Sequence, residues 1–169
     1  MQKGFATLEI ILVTIIIAVL MKIAVPKAAQ LIDTVSLDYE QKRFYSELRY
    51  VQAMSKSSKI YVTGTGDTKI ISDTGTQPIL SINADKNYYQ VLKNSKKLRE
   101  PHYLSNGVKI NLYSESTAII KINFDSEGKA SINDRKSDSI ILTSRLGKKK
   151  YIIFDSVGRI RGSLQSYDN

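Results

Sequence analysis

The chain has 169 residues, which fits one domain of ordinary size with an additional segment. It contains no cysteine, which excludes a disulfide framework, a thiolate zinc site and a cysteine nucleophile. Lys and Arg outnumber Asp and Glu by 25 to 16, and the net charge of +9 favours acidic partners such as nucleic acid or anionic lipid headgroups. Such a charge also serves simply to keep an exported domain soluble, and composition does not separate these interpretations.

The first element along the chain is an apolar run from Phe5 to Val25. As a helix it would extend about 31 Å, enough to cross the hydrocarbon core of a bilayer. Lys22 lies near its end, where the aliphatic stem can reach the interface. Glu9 is the anomaly, because a carboxylate inside such a run costs about 2.5–3.5 kcal/mol on membrane-insertion scales.

Three ordinary interpretations of this run compete. A secretory signal peptide needs small residues at a cleavage site, and no Ala-x-Ala occurs in the first 30 residues. An ordinary membrane anchor explains the length and leaves Glu9 unexplained. In the third interpretation Glu9 lies at the level of the lipid headgroups and is merely tolerated there.

A more specific interpretation rests on the residues around Glu9. Lys3, Gly4 and Phe5 are followed by Glu9 four positions after Phe5, then by the apolar run and Pro26. This spacing resembles the class III signal of type IV pilins and type II secretion pseudopilins. The resemblance implies that a prepilin peptidase cleaves after Gly4 and N-methylates Phe5. It also implies a single-pass inner-membrane protein whose C-terminal domain lies outside the cytoplasm, and which is part of a filament after assembly.

The resemblance gives Glu9 a role in assembly, as the partner of the new α-amine on its own or a neighbouring chain. A buried ion pair adds little net stability, but an unpaired member costs several kcal/mol. Glu9 is therefore predicted to set the register between subunits. The partners implied are the prepilin peptidase, other pilin or pseudopilin subunits through the N-terminal helix, and an inner-membrane assembly platform.

The expected domains are a leader at 1–4, a transmembrane segment at 5–25, a helical spine at 26–58 and a β-rich domain at 59–169. Pro26 removes a helix hydrogen bond and predicts a kink or local melting. Beyond it, apolar residues recur at intervals of seven, four and three, which indicates one face of a helix packed on a sheet. These are Leu37, Phe44, Leu48 and Val51, with Asp38, Glu40, Lys42 and Arg43 between them.

The remaining sequence has the pattern of short strands separated by turns, so the fold class is α+β with antiparallel sheets. Gly64-x-Gly66 is interpreted as a hairpin turn and not as a phosphate-binding loop, because no helix pattern follows it. Further turns are predicted at 73–75 and 105–107. The predicted strands are Ile60–Thr63, Ile70–Ser72, Ile79–Ile82, Tyr88–Leu92, Val108–Tyr113, Ala118–Phe124, Ser139–Thr143 and Tyr151–Phe154.

One pattern occurs twice, thirty residues apart. Ile122–Lys129 and Ile152–Arg159 each predict a strand, a Phe-Asp-Ser-x-Gly turn and a second strand that carries a basic residue. Residues 108–164 resemble the two C-terminal hairpins of the GspH/FimT group of minor pilins and pseudopilins. That resemblance implies a long N-terminal helix capped by antiparallel sheets.

No enzyme, cofactor or metal site is predicted. The single histidine, His102, lies in a polar stretch and is expected at the surface. No G-x-S-x-G elbow accompanies the serines. Four carboxylates lie close together in sequence without the spacing of an EF-hand, which favours turn capping over metal binding. They are Asp125, Glu127, Asp134 and Asp138.

Basic clusters suggest a second kind of partner. Alternation places Arg159 and Arg161 on one face of an extended segment and Ile160 on the other. Gly158-Arg-Ile-Arg161 resembles the tail motif associated with DNA binding in FimT-like minor pilins, which makes double-stranded DNA a candidate partner. The candidate DNA-binding residues are Arg159, Arg161, Lys148, Lys149 and Lys150. Another cluster comprises Lys93, Lys96, Lys97 and Arg99.

Three functions therefore stay open on the sequence. The protein is expected to be a minor subunit of a type IV pilus-like filament, a pseudopilin of a type II secretion system, or a filament-tip subunit that captures DNA for natural transformation. All three share the same N-terminal mechanism.

Overall fold

A computed structural model describes residues 3–57, 77–114, 117–135, 138–155 and 157–163. The N-terminal part is one helix, α1 (Lys3–Ser57), of 55 residues. At 1.5 Å per residue it is about 80 Å long, far longer than an ordinary globular helix. The C-terminal part consists of antiparallel sheets that pack against the second half of α1, so the predicted α+β class is confirmed.

Helix α1 continues on both sides of Pro26, so the chain neither leaves the helix nor melts there. The missing N–H removes one internal hydrogen bond, and the turns on either side keep the helical path. A bend at Pro26 stays a prediction, as does the functional boundary between 5–25 and 26–58. Helix α1 ends at Ser57, one residue before the predicted end of the helical spine at 58.

The described strands form two sheets in which all pairs are antiparallel. The first sheet has the order β3-β2-β1-β6-β7, with β4 also paired to β2, and the second has the order β10-β9-β8-β5. The strands are β1 (Ile79–Asn83), β2 (Tyr88–Lys93), β3 (Lys96–Lys97), β4 (His102–Tyr103), β5 (Lys109–Leu112), β6 (Ile119–Phe124), β7 (Ala130–Ile132), β8 (Ser139–Thr143), β9 (Lys149–Phe154) and β10 (Ile160–Ser163).

Most predicted strands are confirmed within one or two residues, and β8 has the predicted bounds. Asn106 and Gly107 both have positive φ, as the predicted turn at 105–107 requires. Strands β3 and β4 were not predicted, because two-residue strands with exposed or half-buried side chains leave no alternation to detect. The strands predicted at 60–63 and 70–72 and the turns at 64–67 and 73–75 lie outside the described residues.

The core lies between one face of α1 and the inner faces of both sheets. The four apolar residues predicted for that face, Leu37, Phe44, Leu48 and Val51, are all buried. Strands β1, β6 and β8 show the buried-exposed alternation of sheets with one face covered. Phe44 meets the ring of Tyr89 on β2 edge to face, with centroids 5.1 Å apart.

The repeated sequence pattern forms two hairpins with the same register. Phe124 pairs with Ala130 in the β6–β7 hairpin, and Phe154 pairs with Ile160 in β9–β10, thirty residues later. In both turns the Asp N–H donates to the carbonyl four residues on, and the Gly N–H donates back to the Asp carbonyl. The hairpins belong to different sheets, one to each. The sequence repeat is therefore a repeat of local structure, while its two copies occupy different places in the fold.

Candidate functional site

The first candidate surface is the N-terminal half of α1. It is the helix among the described residues that is long and apolar enough to cross a membrane, with a mean hydropathy of 2.7 over its most apolar 18-residue window and none of that window buried. Gly4 and Phe5 lie in its first turns. Glu9 is exposed between Leu8 and Ile10, and it has no partner within the part of the chain that the structure describes.

Exposed apolar side chains continue along α1 past the end of the predicted membrane segment. Leu31, Ile32 and Val35 are each more than half exposed, while Asp33 on the opposite face is buried. The uncovered apolar surface thus extends along the helix axis as far as the first residues that contact the sheet domain, but on the opposite face of α1. Nothing in the described part of the chain covers it.

The second half of α1 presents polar side chains that hold the turns of the sheet domain. The carboxylate of Asp33 accepts hydrogen bonds from Ser144 Oγ at 2.6 Å and from the Leu146 N–H at 3.2 Å. One turn further on, Ser36 Oγ accepts from the Asn106 side-chain amide at 2.7 Å. We call the segments 105–109 and 144–149, which lie at this level of α1, the basal turns.

Gln52 also holds turns of the sheet domain against α1. It lies nineteen residues after Asp33, which is about 28 Å further along the helix axis. Its Nε2 donates to the carbonyl oxygens of Gly128 at 2.7 Å and Gly158 at 2.6 Å. Both repeated turns therefore meet at one side chain. An added Cβ on Gly158 would lie 2.4 Å from the Gly128 oxygen, so this close approach requires glycine. We call the segments 125–129 and 155–159 the distal turns.

Glu40 is fully buried, which its place in a charged stretch of sequence did not suggest. Its Oε1 accepts from the Ser105 N–H at 3.0 Å and from Ser105 Oγ at 2.6 Å, and its Oε2 lies 2.8 Å from His102 Nε2. His102 was expected at the surface, and that expectation is wrong: its side chain is only 17% exposed and packs against the Tyr89 ring. Burial raises the pKa of the Tyr89 hydroxyl well above its usual range, so the ring stays neutral beside this pair.

Glu40, His102 and Ser105 do not form a catalytic arrangement. The serine and the histidine both contact the carboxylate, whereas nucleophilic catalysis requires the histidine to contact the serine. The buried carboxylate instead ties the loop between β4 and β5 to α1. Of the four carboxylates considered as metal ligands, Asp125 caps a turn, as predicted. Its Oδ1 accepts hydrogen bonds from the N–H groups of Glu127 and Lys129. Glu127 pairs with Lys129, and Asp138 accepts from Ser114 Oγ.

Among the described residues no three His, Cys, Asp or Glu side chains gather in a way that could hold a metal ion. A shallow groove of about 380 Å³ lies on the outer face of the first sheet. It is lined by Ile119, Lys121, Asn123, Asn133 and Asp134, which bring together no acid–base or nucleophile pair.

The structure separates the candidate DNA-binding residues into two groups. Arg159 and Arg161 are exposed and Ile160 is buried, so the predicted alternation is confirmed. Both guanidinium groups approach one carboxylate, Asp155, at 3.6 and 3.4 Å. These arginines lie at or beside the distal turns, where Tyr45 Oη on α1 also donates to the Ile160 carbonyl.

Lys148 and Lys149 belong to the basal turns, and Lys150 directly follows them in β9. Lys148 Nζ donates to Thr34 Oγ1, and Lys150 Nζ contacts Asp38 and Gln41, all on α1. Lys149 is exposed. Lys148 therefore lies beside Thr34 at the basal turns and Arg159 lies in a distal turn, so these two cations are at different ends of the domain. Lys150 lies between them, at the level of Asp38 and Gln41 on α1. The basic residues Lys96, Lys97 and Arg99 are exposed at the β3 edge, where Arg99 is paired with Glu47.

The sequence patterns did not indicate that the buried Asp33 and Glu40 and the half-buried Gln52 anchor the sheet domain to α1. One signal could have revealed Glu40: it lies three residues after Leu37 and four before Phe44, on the same helix face. No family model, no curated protein and no solved structure gives a significant match to this chain.

Proposed function

We propose that the protein is a minor pilin or pseudopilin: a subunit that is cleaved after Gly4, resides in the inner membrane through α1 and then joins a type IV pilus-like or type II secretion pseudopilus filament. The observation that carries the proposal is the uncovered apolar half of α1 with one carboxylate, Glu9, five residues after Gly4. The resemblance of residues 3–26 to the class III signal supports the same assignment.

An uncovered apolar helix of this length requires a nonpolar environment. Large exposed apolar surfaces mark sites of membrane or protein contact. Before assembly, lipid covers this surface. In a filament, the helices of neighbouring subunits cover it, and the exposed sheet domain lies outside. The surface extends to Val35, beyond the 18–20 residues that a bilayer needs, which suits a helix that also packs against other helices.

In this scheme Glu9 sets the register between neighbouring helices in the filament. Cleavage after Gly4 converts the Phe5 amide nitrogen into a charged amine, which the uncleaved leader cannot present. A carboxylate in an apolar environment without a partner is unfavourable by several kcal/mol, so only registers that bring an amine to Glu9 are stable. The prepilin peptidase and the inner-membrane assembly platform are the partners in this scheme, together with the other filament subunits.

The test is the chemical identity of the N-terminus in a host with an active prepilin peptidase. Mass spectrometry of the membrane-extracted chain should find a protein that begins at an N-methylated Phe5. Gly4→Leu should leave the chain uncleaved, because a side chain before the scissile bond obstructs the peptidase, whereas Ala24→Leu should be cleaved normally. An intact Met1 in the wild-type chain, or a cut beyond residue 20, contradicts the proposal.

A DNA-binding tip subunit is the alternative, favoured by the exposure of Arg159 and Arg161 on one face. Duplex DNA would then bind with little sequence preference, and log affinity would fall against log salt with a slope of about −3 to −5. Replacing both arginines by Ala should flatten that slope by about two units. The Lys148–Lys150 triple variant is the control, since it removes three charges at the start of β9, outside the distal turns. Absence of binding at about 50 mM salt excludes this alternative.

A further inference from the structure

The charge of the sheet domain differs between its two ends. The basal turns, 105–109 and 144–149, contain Lys109, Arg145, Lys148 and Lys149 and no acidic residue. The distal turns, 125–129 and 155–159, contain two basic and three acidic residues, and Arg161 beside them shares Asp155 with Arg159. Free positive charge is therefore concentrated at the end that lies toward the apolar half of α1.

The basal turns are fixed to the helix, so their height above a membrane follows from the helix itself. Asp33 holds Ser144 and Leu146, and Ser36 holds Asn106. Eight residues separate Val25 from Asp33, which places the turns about 12 Å beyond the apolar segment. The headgroup layer occupies about 5–8 Å of that distance, and the remainder is less than the Debye length of about 8 Å at physiological ionic strength.

The shape of the second basal turn also suits a lipid surface. Leu146 is half exposed and is flanked by Arg145 and Lys148. Next to it, Gly147 has a positive φ and faces open space. The aliphatic carbons of Arg145 lie against the turn at Gly107, so the two basal turns are neighbours at one end of the domain. Basic side chains around an exposed apolar one are typical of segments that lie on anionic membranes.

We propose that the basal turns form a docking surface for anionic phospholipid headgroups, and that the domain rests on the membrane through this surface until the subunit is extracted into a filament. The inference rests on the proposed function, because it requires α1 to span the bilayer. Lys109, Arg145, Lys148 and Lys149 supply the charge, and Leu146 enters the headgroup layer. Lys150 is excluded, since its ammonium is held by Asp38 and Gln41 on the helix.

The absence of cysteine permits single-site labelling of the full chain. Leu146→Cys and Val157→Cys place an environment-sensitive dye on a basal and a distal turn at matched sites, since the two side chains are 50% and 60% exposed. The labelled chains are placed in nanodiscs of phosphatidylcholine alone or with about a third phosphatidylglycerol, with a quencher on the lipid headgroups. The dye at 146 should be quenched and blue-shifted in the anionic discs only, and less so at high salt. The dye at 157 should stay solvated in both.

Two charge variants sharpen the test. Arg145→Gln/Lys148→Gln/Lys149→Gln should abolish the quenching at 146. Each basic residue near an anionic surface raises the association constant of the turn for the membrane about fivefold, and three together raise it about a hundredfold. The matched variant Lys129→Gln/Arg159→Gln/Arg161→Gln removes three charges at the other end and should leave the quenching unchanged. Thermal melts check that both variants are folded.

Failure of this inference is distinguishable from failure of the proposed function. If the chain inserts in an alkali-resistant form and the dye at 146 is equally solvated in both lipid mixtures, the docking surface is wrong and the anchor stands. If the chain does not insert, both are wrong. If the basal triple variant loses duplex DNA binding while the wild-type dye at 146 shows no lipid contact, the cluster is a nucleic-acid site and the lipid proposal is overturned.

Discussion

The two halves of α1 are parts of one continuous helix in opposite environments. Among residues 8–32 almost every side chain is exposed and most are apolar, whereas residues 33–57 bury an apolar stripe together with Asp33, Ser36, Glu40 and Ser55. Buried polar side chains thus occur in the half of α1 that the sheets cover, and the exposed half is mostly apolar. A carboxylate is tolerated there because turns of the sheet domain supply N–H and O–H donors, and Glu9 in the exposed half has no such donors within the described chain.

Because the second half of α1 packs against the sheets and the first half is exposed, we expect substitutions in the second half to change the stability of the sheet domain and equivalent substitutions in the first half to leave it unchanged. Phe44→Ala should have the largest effect, a loss of about 3–5 kcal/mol in the free energy of unfolding, because it opens a cavity between α1 and Tyr89. Urea denaturation of the full chain in detergent, followed by tyrosine fluorescence, measures it. Ile16→Ala is the control and should leave the midpoint unchanged. A similar loss for both variants would remove the distinction between the halves.

Glu40→Ala should cost about 2–3 kcal/mol, since it leaves the Ser105 N–H and the His102 ring without their acceptor in a buried site. The same urea titration applies. Glu100→Ala removes an exposed carboxylate and should change stability by less than about 0.5 kcal/mol. If the two variants are equally stable, the buried carboxylate does not hold the β4–β5 loop.

Gln52→Ala should cost about 1–2 kcal/mol through the loss of its two hydrogen bonds to the distal turns. Backbone amide exchange offers a local readout: the N–H groups of Gly128 and Gly158 should exchange faster in the variant, while those of the basal turns should not. Gln30→Ala, on the exposed side of the helix, should affect neither set. Faster exchange at the basal turns as well would mean that the distal contact stabilises the whole domain.

Glu9→Ala should have the smallest effect on the domain, close to zero in the same denaturation experiment. Its effect should appear only in assembly: cleavage after Gly4 continues and incorporation into filaments falls at least tenfold, because the new amine has no partner. Immunoblots of sheared filaments and of membranes measure the two quantities. Normal incorporation of Glu9→Ala would contradict the role of Glu9 in register.

Local pattern was sufficient for the elements whose signal is contained in a few neighbouring residues. Leu37, Phe44, Leu48 and Val51 predicted the buried face because helical spacing is fixed by backbone geometry. The repeated Phe-Asp-Ser-x-Gly pattern predicted two turns with equivalent hydrogen bonds, since Asp capping and a glycine with positive φ act within five residues. The placement of those two hairpins in separate sheets was not predictable, because it depends on pairing with strands far away in sequence.

Hydropathy and residue spacing were sufficient to predict a long apolar N-terminal helix with one carboxylate in it, followed by an antiparallel domain rich in short strands. Which polar residues are buried and which cations lie close together depends on contacts between segments far apart in the chain. Glu40 and His102 are 62 residues apart in sequence. Either polar side chain alone would be expected at the surface, and burial becomes favourable only when the two are hydrogen-bonded to each other. The lysines of the basal turns and the arginines near the distal turns are close in sequence. They are separated in space because β9 (Lys149–Phe154) lies between them, so Lys148 and Lys149 are at the basal turns and Arg159 is at a distal turn.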